Sequence, residues 1–346
     1  MTPTEIRTAW FDIRNSEKGI HALEIAERLG VSEAELYASA VGSTEGPVRT
    51  KRLEADFRSL IAKLPRIGFV KTVTRNADAV IEVEGNYDNI EFFGPMGQSV
   101  STIDLRIFVE RWKSAFEFTD ETRRGTSRGL AFFDKSGRAI HKLFLREKSD
   151  VAFFETLVTE STSKDQSPTH VVEKAAPLAA TKDDSAIDVE GLRAAWKAMT
   201  DTHQFFGLLR KFEVGRTQAL RLVGDEFSKK VDSSTFEKVL TAVAEKEVPF
   251  MIFVGNPGVI QIFSGLIKKV VPMGSWINVL DPGFDLHVRN DRIEEAWVVR
   301  KPTVDGVVTA LELYDAEGEQ IALVVGKRKP GHAENADWRA LVESFA

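Results

Sequence analysis

The stretch of the chain best suited to chemistry is 199–206, which places a single histidine at the head of an apolar run. Asp201 and Gln204, three residues apart, form the pattern of a capping box, and apolar residues follow at helical spacing. These signals predict a helix with His203 in its first turn. The positive end of a helix dipole disfavours imidazolium, so we expect a neutral ring, which is the form that binds a metal.

The following turns of the same predicted helix place Phe206, Gly207 and Arg210 near the face of His203. A histidine, an aromatic ring, uncovered backbone and a cation together suit a flat, anionic ligand that carries iron. The alternative is a histidine that only caps or packs, because polar residues are common at the start of helices. Both interpretations of His203 remain open at this point.

The overall composition limits the choice of partners. The chain has 346 residues, of which 43% are hydrophobic and 28% charged, as expected for a soluble globular protein with two ordinary domains. The formal net charge of −6 favours neither nucleic acid nor an anionic membrane as a partner. Affinity for an anionic ligand must therefore come from cations that are placed locally.

The sequence contains no cysteine, which excludes disulfides, iron–sulfur clusters and any metal site built on thiolates. Metal chemistry is left to histidine, tyrosine, methionine and carboxylates. Residues 1–10 lack the pattern of a secretory signal, and no apolar stretch approaches the length of a membrane span. We therefore expect a cytoplasmic protein that is not inserted in a membrane.

The first part of the chain, 4–42, has a helical pattern with a break at 30–32, where Ser32 is the expected cap. Two helices with a short break suggest a helix-turn-helix, and hence DNA binding. The second helix, however, opens with Glu33 and Glu35, which would repel phosphates. An ordinary helical hairpin is the better interpretation, so we expect no nucleic-acid partner.

A predicted amphipathic helix at 52–64 is followed by segments in which polar and apolar residues alternate, as is typical of an antiparallel sheet. The predicted strands are 70–74, 79–83, 90–93, 104–108, 115–118, 130–134 and 140–145. Residues 134–137 are typical of a hairpin turn.

The second half of the chain repeats patterns of the first half in the same order. Residues 192–196 match 6–10, 254–263 match 84–93, and 313–318 match 132–137. We therefore predict an α+β fold made by tandem duplication, each half a helical segment followed by an antiparallel sheet. The predicted domains are 1–159 and 190–346, with a linker or loop at 160–189 that is rich in Ser, Thr, Lys, Asp, Ala and Pro.

The duplication draws attention to His203, because the matching region of the first half, taken as 14–18, has no histidine. Only the second half is then expected to carry the ligand. We expect no functional role for the other histidines: the sequence predicts surface or turn positions for His21 and His141, a linker position for His170, a strand position for His287 and a position near the tail for His332.

With these residues in view, the chain resembles the bacterial cytoplasmic hemin-degrading and hemin-transport proteins that are encoded with heme-uptake systems. The resemblance covers nearly the whole length. Its most specific segments are 196–206, 252–256, 271–273 and 295–303, together with 103–108 and 75–76 in the first half.

The resemblance implies a duplicated α+β protein whose heme lies in a cleft formed mainly by the second half, with the first half on the distal side. It implies that His203 is the axial ligand of the heme iron. It places a distal arginine and phenylalanine at Arg106 and Phe108. The remaining implied contacts are basic groups at the heme edge and an aromatic of the pocket wall, namely Arg216, Lys301, Arg328 and Phe253.

Two positions depart from the family pattern. Several relatives carry a tyrosine before the Gly-x-Arg that leads to Arg328, whereas this chain has Val325, so one hydroxyl contact to the ligand is lost. Some relatives carry a second histidine where this chain has Ile81, which argues against an alternative heme site there. Lys327 stands close enough in sequence to compensate for the first change.

The function implied by the resemblance is the acceptance of heme from a heme-uptake system, with an inner-membrane heme ABC transporter as an expected partner, and oxidative degradation of heme with release of iron. Oxygen and an external electron donor, such as a reductase, would be needed. Arg106 is the candidate catalytic donor, because a guanidinium donates hydrogen bonds without titrating near neutrality. The alternative is a non-catalytic heme chaperone that delivers heme to a separate heme oxygenase. Both functions need the same histidine and cations, so both remain open.

Overall fold

The computed structural model describes residues 1–17, 19–44, 46–122, 125–174, 181–329 and 331–346. The helices are α1 Pro3–Ser16, α2 Ala22–Leu29, α3 Glu33–Ser39, α4 Phe57–Lys63, α5 Val151–Ser161, α6 Val189–Lys197, α7 Gln204–Phe212, α8 Arg216–Leu222, α9 Thr235–Glu245 and α10 Ala336–Glu343. In the first half of the chain, the strands are β1 Val48–Leu53, β2 Gly68–Arg75, β3 Ala79–Gly85, β4 Glu91–Phe93, β5 Met96–Ser99, β6 Asp104–Phe108, β7 Trp112–Thr122, β8 Gly125–Asp134 and β9 Ala139–Ser149. In the second half, the strands are β10 Ser228–Val231, β11 Phe250–Asn256, β12 Val259–Gly265, β13 Val270–Met273, β14 Trp276–Asp281, β15 Phe284–Arg289, β16 Glu295–Thr303, β17 Gly306–Tyr314 and β18 Gln320–Gly326.

The chain divides into two compact units. Unit 1 comprises Met1–Arg75, Glu82–Ala176 and Gly255–Gln261, and unit 2 comprises Asn76–Ile81, Pro177–Val254 and Ile262–Ala346. The main border falls inside the segment 160–189. Within this segment, 175–180 lie outside the described residues, α5 ends at Ser161, and α6 begins at Val189.

Unit 1 places α1–α3 on an antiparallel sheet in the order β1-β7-β8-β9-β2. The helices and the sheet share an apolar core in which Trp10 and Tyr37 meet Phe116 and Phe133. A second set of strands, β4-β5-β6, forms an antiparallel meander in the same unit. Every strand predicted in the first half is present, which confirms the alternating pattern as the main signal for strands.

Unit 2 repeats this plan. Helices α6–α8 cover an antiparallel sheet in the order β10-β16-β17-β18-β11, and β13-β14-β15 form the meander. Trp196, Phe205 and Phe227 lie in the core between the helices and the sheet. Strand β10 lies at the end of its sheet, and its Lys229 and Lys230 are exposed.

Two hairpin turns confirm the duplication in atomic detail. In unit 1 the carboxylate of Asp134 accepts the backbone N–H groups of Ser136 and Arg138 at 2.8 and 3.0 Å. In unit 2 the carboxylate of Asp315 accepts those of Glu317 and Glu319 at 3.0 and 2.8 Å. Each turn closes on a glycine with positive φ, +78° at Gly137 and +79° at Gly318, a conformation that favours glycine. The predicted α+β tandem duplication is therefore correct.

One of the three sequence matches is wrong by one strand. Asn256 follows β11 in the turn to β12, where its side-chain oxygen accepts the N–H groups of Gly258 and Val259. Asn76 does the same in the turn from β2 to β3, accepting from Asp78 and Ala79. Residues 254–256 therefore correspond to 74–76, and not to 84–86. Alternating strands resemble one another when shifted along the chain, so the pattern alone misplaced the register.

Two further predictions need correction or qualification. The amphipathic helix predicted at 52–64 is in fact the end of β1 followed by α4, which begins at Phe57 after its cap Asp56. The predicted cap Ser32 is confirmed and forms a capping box with Glu35. However, six of the seven residues of α3 are buried, so this helix has no free face to enter a DNA groove.

The described part of the chain has no helix that is both long and apolar enough to cross a membrane.

Candidate functional site

His203 stands on unit 2 just before α7, with its side chain 89% exposed. Helix α7 begins at Gln204, so His203 lies one residue before the predicted first turn, at the N-cap position. A single carboxylate oxygen of Asp201 accepts the backbone N–H of His203 at 2.8 Å and faces ring atom Nδ1 at 2.7 Å. Because an ionised carboxylate can only accept, Nδ1 is the donor in this contact, and in the neutral form of the ring Nε2 then carries the lone pair.

The start of α7 is held differently from the predicted capping box. Gln204 turns back to Thr200, whose backbone N–H donates to the Gln204 side chain at 2.9 Å and whose hydroxyl accepts from it at 3.1 Å. The carboxylate of Asp201 is therefore not bonded to Gln204, whose backbone N–H donates instead to the backbone carbonyl of Asp201, and it is available to His203. The backbone N–H of His203, more than any other group, lowers the pKa of Asp201, which keeps its carboxylate ionised near neutrality.

The exposed side of α7 carries the residues expected beside His203. Phe206 is 64% exposed, and the guanidinium of Arg210 lies over its ring at 4.9 Å from the centroid. Gly207 has open space where a side chain would stand. An exposed aromatic ring next to uncovered backbone is suited to contact with a flat, apolar molecule.

On the buried side of α7, two of the predicted cations meet in one cluster, which we call the Glu312 cluster: Arg216, Lys301, Glu312 and Tyr314. Arg216 donates to Glu312 from Nε and Nη2 at 3.0 and 2.9 Å and to the hydroxyl of Tyr314 at 2.7 Å. Lys301 donates to the other oxygen of Glu312 at 2.5 Å. The cluster lies against the ring of Phe205, whose centroid is 4.4 Å from Lys301 Nζ and 5.2 Å from Arg216 Cζ.

Electrostatics keep this cluster charged. Burial alone would raise the pKa of Glu312, but the charges of Arg216 and Lys301 outweigh it and lower that pKa to about 2. Burial lowers the pKa of Lys301, and Glu312 opposes this effect. With two cations against one carboxylate, the cluster carries a net positive charge at neutral pH.

The two cations of the cluster differ in access. Lys301 is only 5% exposed and is bonded to Glu312, whereas Arg216 is partly exposed. In this state Arg216 is therefore the better placed of the two to meet an anionic ligand. Lys301 is buried, and its charge offsets that of Glu312.

Arg328 and Phe253 complete the predicted set on unit 2. Arg328 follows β18, is half-buried, and its charge helps to lower the pKa of Asp201, which places it on the side of His203. Phe253 is half-buried in β11 against the core of unit 2. Val325 is buried and pairs with Met251, so this strand position offers an apolar side chain in place of the hydroxyl of some relatives.

Arg106 and Phe108 lie on β6 of unit 1. They share one half-buried face of the strand with Asp104, while Leu105 and Ile107 are buried on the other, as predicted from the alternation. The guanidinium of Arg106 is paired with Asp104 and donates to the carbonyl of Leu105 at 3.0 Å. Burial raises the pKa of Asp104 in spite of this pairing.

The helices of the two units show that the prediction of no matching histidine in the first half is wrong. His21 occupies the N-cap position of α2, as His203 does in α7, so the first half does have a histidine at this place. The difference lies at the first residue of the next helix, which is Glu33 in α3 and Arg216 in α8. Glu33 is buried and paired with Arg75 and Lys142. A buried carboxylate paired with two cations therefore stands in unit 1 at the position where unit 2 has the partly exposed guanidinium of Arg216.

Sequence reasoning missed Asp201 as the partner of His203, and it missed Glu312 and Tyr314. A signal for Glu312 was present, since it is the one charged residue between Gly306 and Tyr314 in an otherwise apolar strand. A charge in a buried strand requires a partner of opposite sign.

Comparison with known proteins now gives the family. The model of the haemin-degrading HemS/ChuX domain matches twice, at residues 30–161 and 213–345. The chain belongs to the haemin-degrading HemS/ChuX family. The two matches follow the two halves of the duplication, and they confirm the resemblance seen in the sequence.

Members of this family are similar to the chain over almost its whole length. Hemin transport protein HmuS of Yersinia pestis is 41% identical over 328 residues, which are 93% of this chain and 91% of that protein. The structure of holo-PhuS, a heme-binding protein from Pseudomonas aeruginosa, has a TM-score of 0.96 at 41% identity and covers 100% of this chain and 99% of that one. ChuS, described as an E. coli heme oxygenase, has a TM-score of 0.88 at 35% identity, with 99% of both chains covered.

Proposed function

We propose that the protein binds heme through Nε2 of His203 and supports oxidative degradation of the heme with release of iron. The observation that carries this proposal is the contact of Asp201 with Nδ1 in the exposed ring of His203, which leaves Nε2 of the neutral ring as the electron-pair donor. Family membership supports the choice of heme, since the HemS/ChuX domain is described as haemin-degrading.

The described residues also argue for a metal that arrives in its own macrocycle. They contain no group of three or more His, Asp or Glu side chains that could hold a free metal ion. A heme iron already has four nitrogen ligands and needs only one imidazole from the protein. The open patch formed by Phe206 and Gly207 beside His203 suits the flat porphyrin.

The carboxylates of heme call for local cations in a chain of net charge −6. Arg216 is our first candidate, because it is partly exposed and part of a cluster with a net positive charge. A guanidinium can hold a carboxylate with two parallel hydrogen bonds. Arg328 is the second candidate, and Lys301 supports Arg216 by sharing the charge of Glu312.

For degradation, bound heme supplies the iron at which oxygen chemistry takes place, with electrons from an external donor. The protein would contribute a hydrogen-bond donor that keeps its proton, and we propose Arg106 for this role, with Phe108 beside it as an apolar wall. To contact the ligand, the guanidinium of Arg106 would have to leave its ion pair with Asp104. The description of ChuS as a heme oxygenase supports this reading of the family.

The second candidate function is a heme chaperone that passes intact heme to a separate oxygenase. The pairing of Arg106 with Asp104 favours it, because the guanidinium proposed as the catalytic donor is engaged by a carboxylate. The name hemin transport protein, given to HmuS, fits this function equally well. A heme transporter, a reductase and a heme oxygenase are the expected partners under one or the other proposal.

One experiment separates the candidates. Hemin is added to the purified protein, and the Soret band reports binding. Ascorbate or a reductase system is then supplied in air with catalase present, because free peroxide bleaches heme without an enzyme. Decay of the Soret band to a bile-pigment spectrum supports degradation, a stable Soret band supports the chaperone, and no Soret change on hemin addition rejects both.

A further inference from the structure

One oxygen of Asp201 accepts two N–H groups from the same residue. The backbone N–H of His203 lies 2.8 Å from it and ring atom Nδ1 lies 2.7 Å from it. These two bonds fix both ends of the histidine, so the ring cannot turn about its side-chain bonds without losing the carboxylate. The imidazole is held in place before any ligand arrives.

An ordinary helix cap does not explain this arrangement. At α6 the N-cap Asp188 accepts only a backbone N–H, that of Gly191 at 2.9 Å. At α7 two hydrogen bonds between Thr200 and Gln204 hold the start of the helix, so this helix does not need the Asp201 side chain as its cap. The carboxylate of Asp201 is left to hold the imidazole, which an aspartate used only as a cap would not do.

We propose that Asp201 is a positioning residue that selects the Nδ1–H tautomer of His203 and makes Nε2 a stronger donor to iron. A carboxylate that accepts from the second nitrogen of a histidine increases the basicity of the nitrogen that binds the metal. A more basic ligand stabilises ferric over ferrous iron. The inference rests on the proposed function, since it requires His203 to be the heme ligand.

The first test uses the protein without heme. Long-range proton–nitrogen correlation NMR, at a pH where the ring is neutral, assigns the tautomer of His203. We expect the Nδ1–H form in the wild type and in the control Asp188→Asn. In Asp201→Asn and Asp201→Ser, whose neutral oxygens accept less strongly than a carboxylate, the fraction of the Nε2–H form should rise. A wild-type ring in the Nε2–H form, or the same tautomer fractions in all four proteins, overturns the proposal.

The second test uses the heme complex. Replacement of Asp201 by Asn should raise the midpoint potential of the bound iron, lower the iron–histidine stretching frequency in resonance Raman spectra, and weaken heme binding by about 10-fold or more. Asp188→Asn should change none of the three. A potential and stretching frequency equal to those of the wild type would show that Asp201 is only structural.

The heme spectrum of His203→Ala distinguishes failure of this inference from failure of the proposed function. If His203→Ala leaves the heme spectrum of the wild type unchanged, the proposed ligand is wrong, and the heme test no longer concerns Asp201. If His203 is confirmed as the ligand and the Asp201 variants behave as wild type, only the inference fails. Asp201→Ser keeps an oxygen for the backbone N–H of His203, so it supplies the result if Asp201→Asn does not fold.

Discussion

The hydroxyl of Tyr87 lies 2.7 Å from Nε2 of His141, and both residues are completely buried in unit 1. Nδ1 of the same ring lies 2.8 Å from the hydroxyl of Thr74, which itself donates to Gln261 at 2.7 Å. Since Thr74 has given its proton to Gln261, it must accept from Nδ1, and Nε2 must accept from Tyr87. The hydrogen bonds therefore require a neutral imidazole with its proton on Nδ1. The surface or turn position predicted for His141 from the sequence is wrong, because the residue lies buried in β9.

We predict an acid-sensitive stability that originates at His141. Burial lowers the pKa of His141 from 6.5 to about 3, so the unfolded chain binds a proton below pH 6.5 and the folded chain does not. The stabilising contribution of the neutral ring is thus present above pH 6.5 and is lost as the pH falls from there towards 3. Between pH 7 and pH 5 the loss from this group is about 2 kcal/mol.

Denaturant unfolding at both pH values measures this effect. His141→Gln removes the titrating ring, so its free energy of unfolding should fall by about 2 kcal/mol less than that of the wild type over the same interval. Other ionisable groups are common to both proteins and cancel in the difference. Equal pH dependence in the two proteins would contradict the assignment to His141.

Replacement of His203 by alanine should remove the axial bond to iron and shift or abolish the Soret band on addition of hemin. The start of α7 should survive, because Thr200 and Gln204 close it. The matched control is His21→Ala, which removes the histidine at the corresponding N-cap of unit 1 and should leave the spectrum unchanged. Heme titrations followed by absorption compare the two variants, and equal spectral effects would reject His203 as the ligand.

Arg216→Ala should weaken heme binding by about 1 to 3 kcal/mol, the range for charge-assisted hydrogen bonds, with the axial spectrum nearly unchanged. The reason is that this guanidinium is proposed to meet carboxylates and not iron. Heme dimethyl ester lacks those carboxylates and is the control ligand. Binding of the ester should be equal in variant and wild type, and a remaining difference would mean that Arg216 acts through folding.

Lys301→Met should destabilise the fold by about 3 kcal/mol or more, because it leaves the buried Glu312 with Arg216 as its remaining cation. The double variant Lys301→Met, Glu312→Gln also removes the charge of the carboxylate that has lost the bond from Lys301, and it should recover part of the loss because Arg216 is partly exposed to water. Denaturant unfolding of both variants tests this. A double variant no more stable than Lys301→Met would show that the loss does not come from the charge of Glu312.

Arg106→Ala should keep most of the heme affinity and slow degradation by about 10²-fold, the scale for removal of a preorganised donor. Arg111→Ala removes an exposed arginine of the same unit and serves as the control. Single-turnover decay of the Soret band, with catalase present, gives the rates. Equal rates in Arg106→Ala and wild type would favour the chaperone.

Local signals in the sequence were enough for much of the fold. The cap Ser32 and the strand 104–108 depend on neighbouring residues, and the cap was predicted at the correct residue and the strand with the correct bounds. The turn at Asp134 was predicted for the same reason, since Gly137 is needed for its positive φ. Such features are specified within a few residues, so a single sequence contains them.

The remainder of the site depends on pairings between distant parts of the chain. Arg216 and Glu312 are 96 residues apart, and only the packing of helix α8 against the sheet that contains β17 brings them together. The pattern of a strand does not state its neighbour or its register, which is why residues 254–256 were matched to the wrong strand. Asp201 is a different case, because its competing partner Gln204 was the more familiar signal, and the bond to His203 required three-dimensional geometry.

Strand β10 ends its sheet with Lys229 and Lys230 side by side and exposed. An edge strand has unpaired backbone groups that can recruit a strand from another molecule, and lysines there make such pairing costly through charge repulsion and loss of hydration. A protein that carries two similar sheets in one chain is especially exposed to cross-pairing between copies. We therefore expect the two lysines to oppose aggregation, and their replacement by valine and threonine should give a chain that folds but precipitates at concentrations the wild type tolerates.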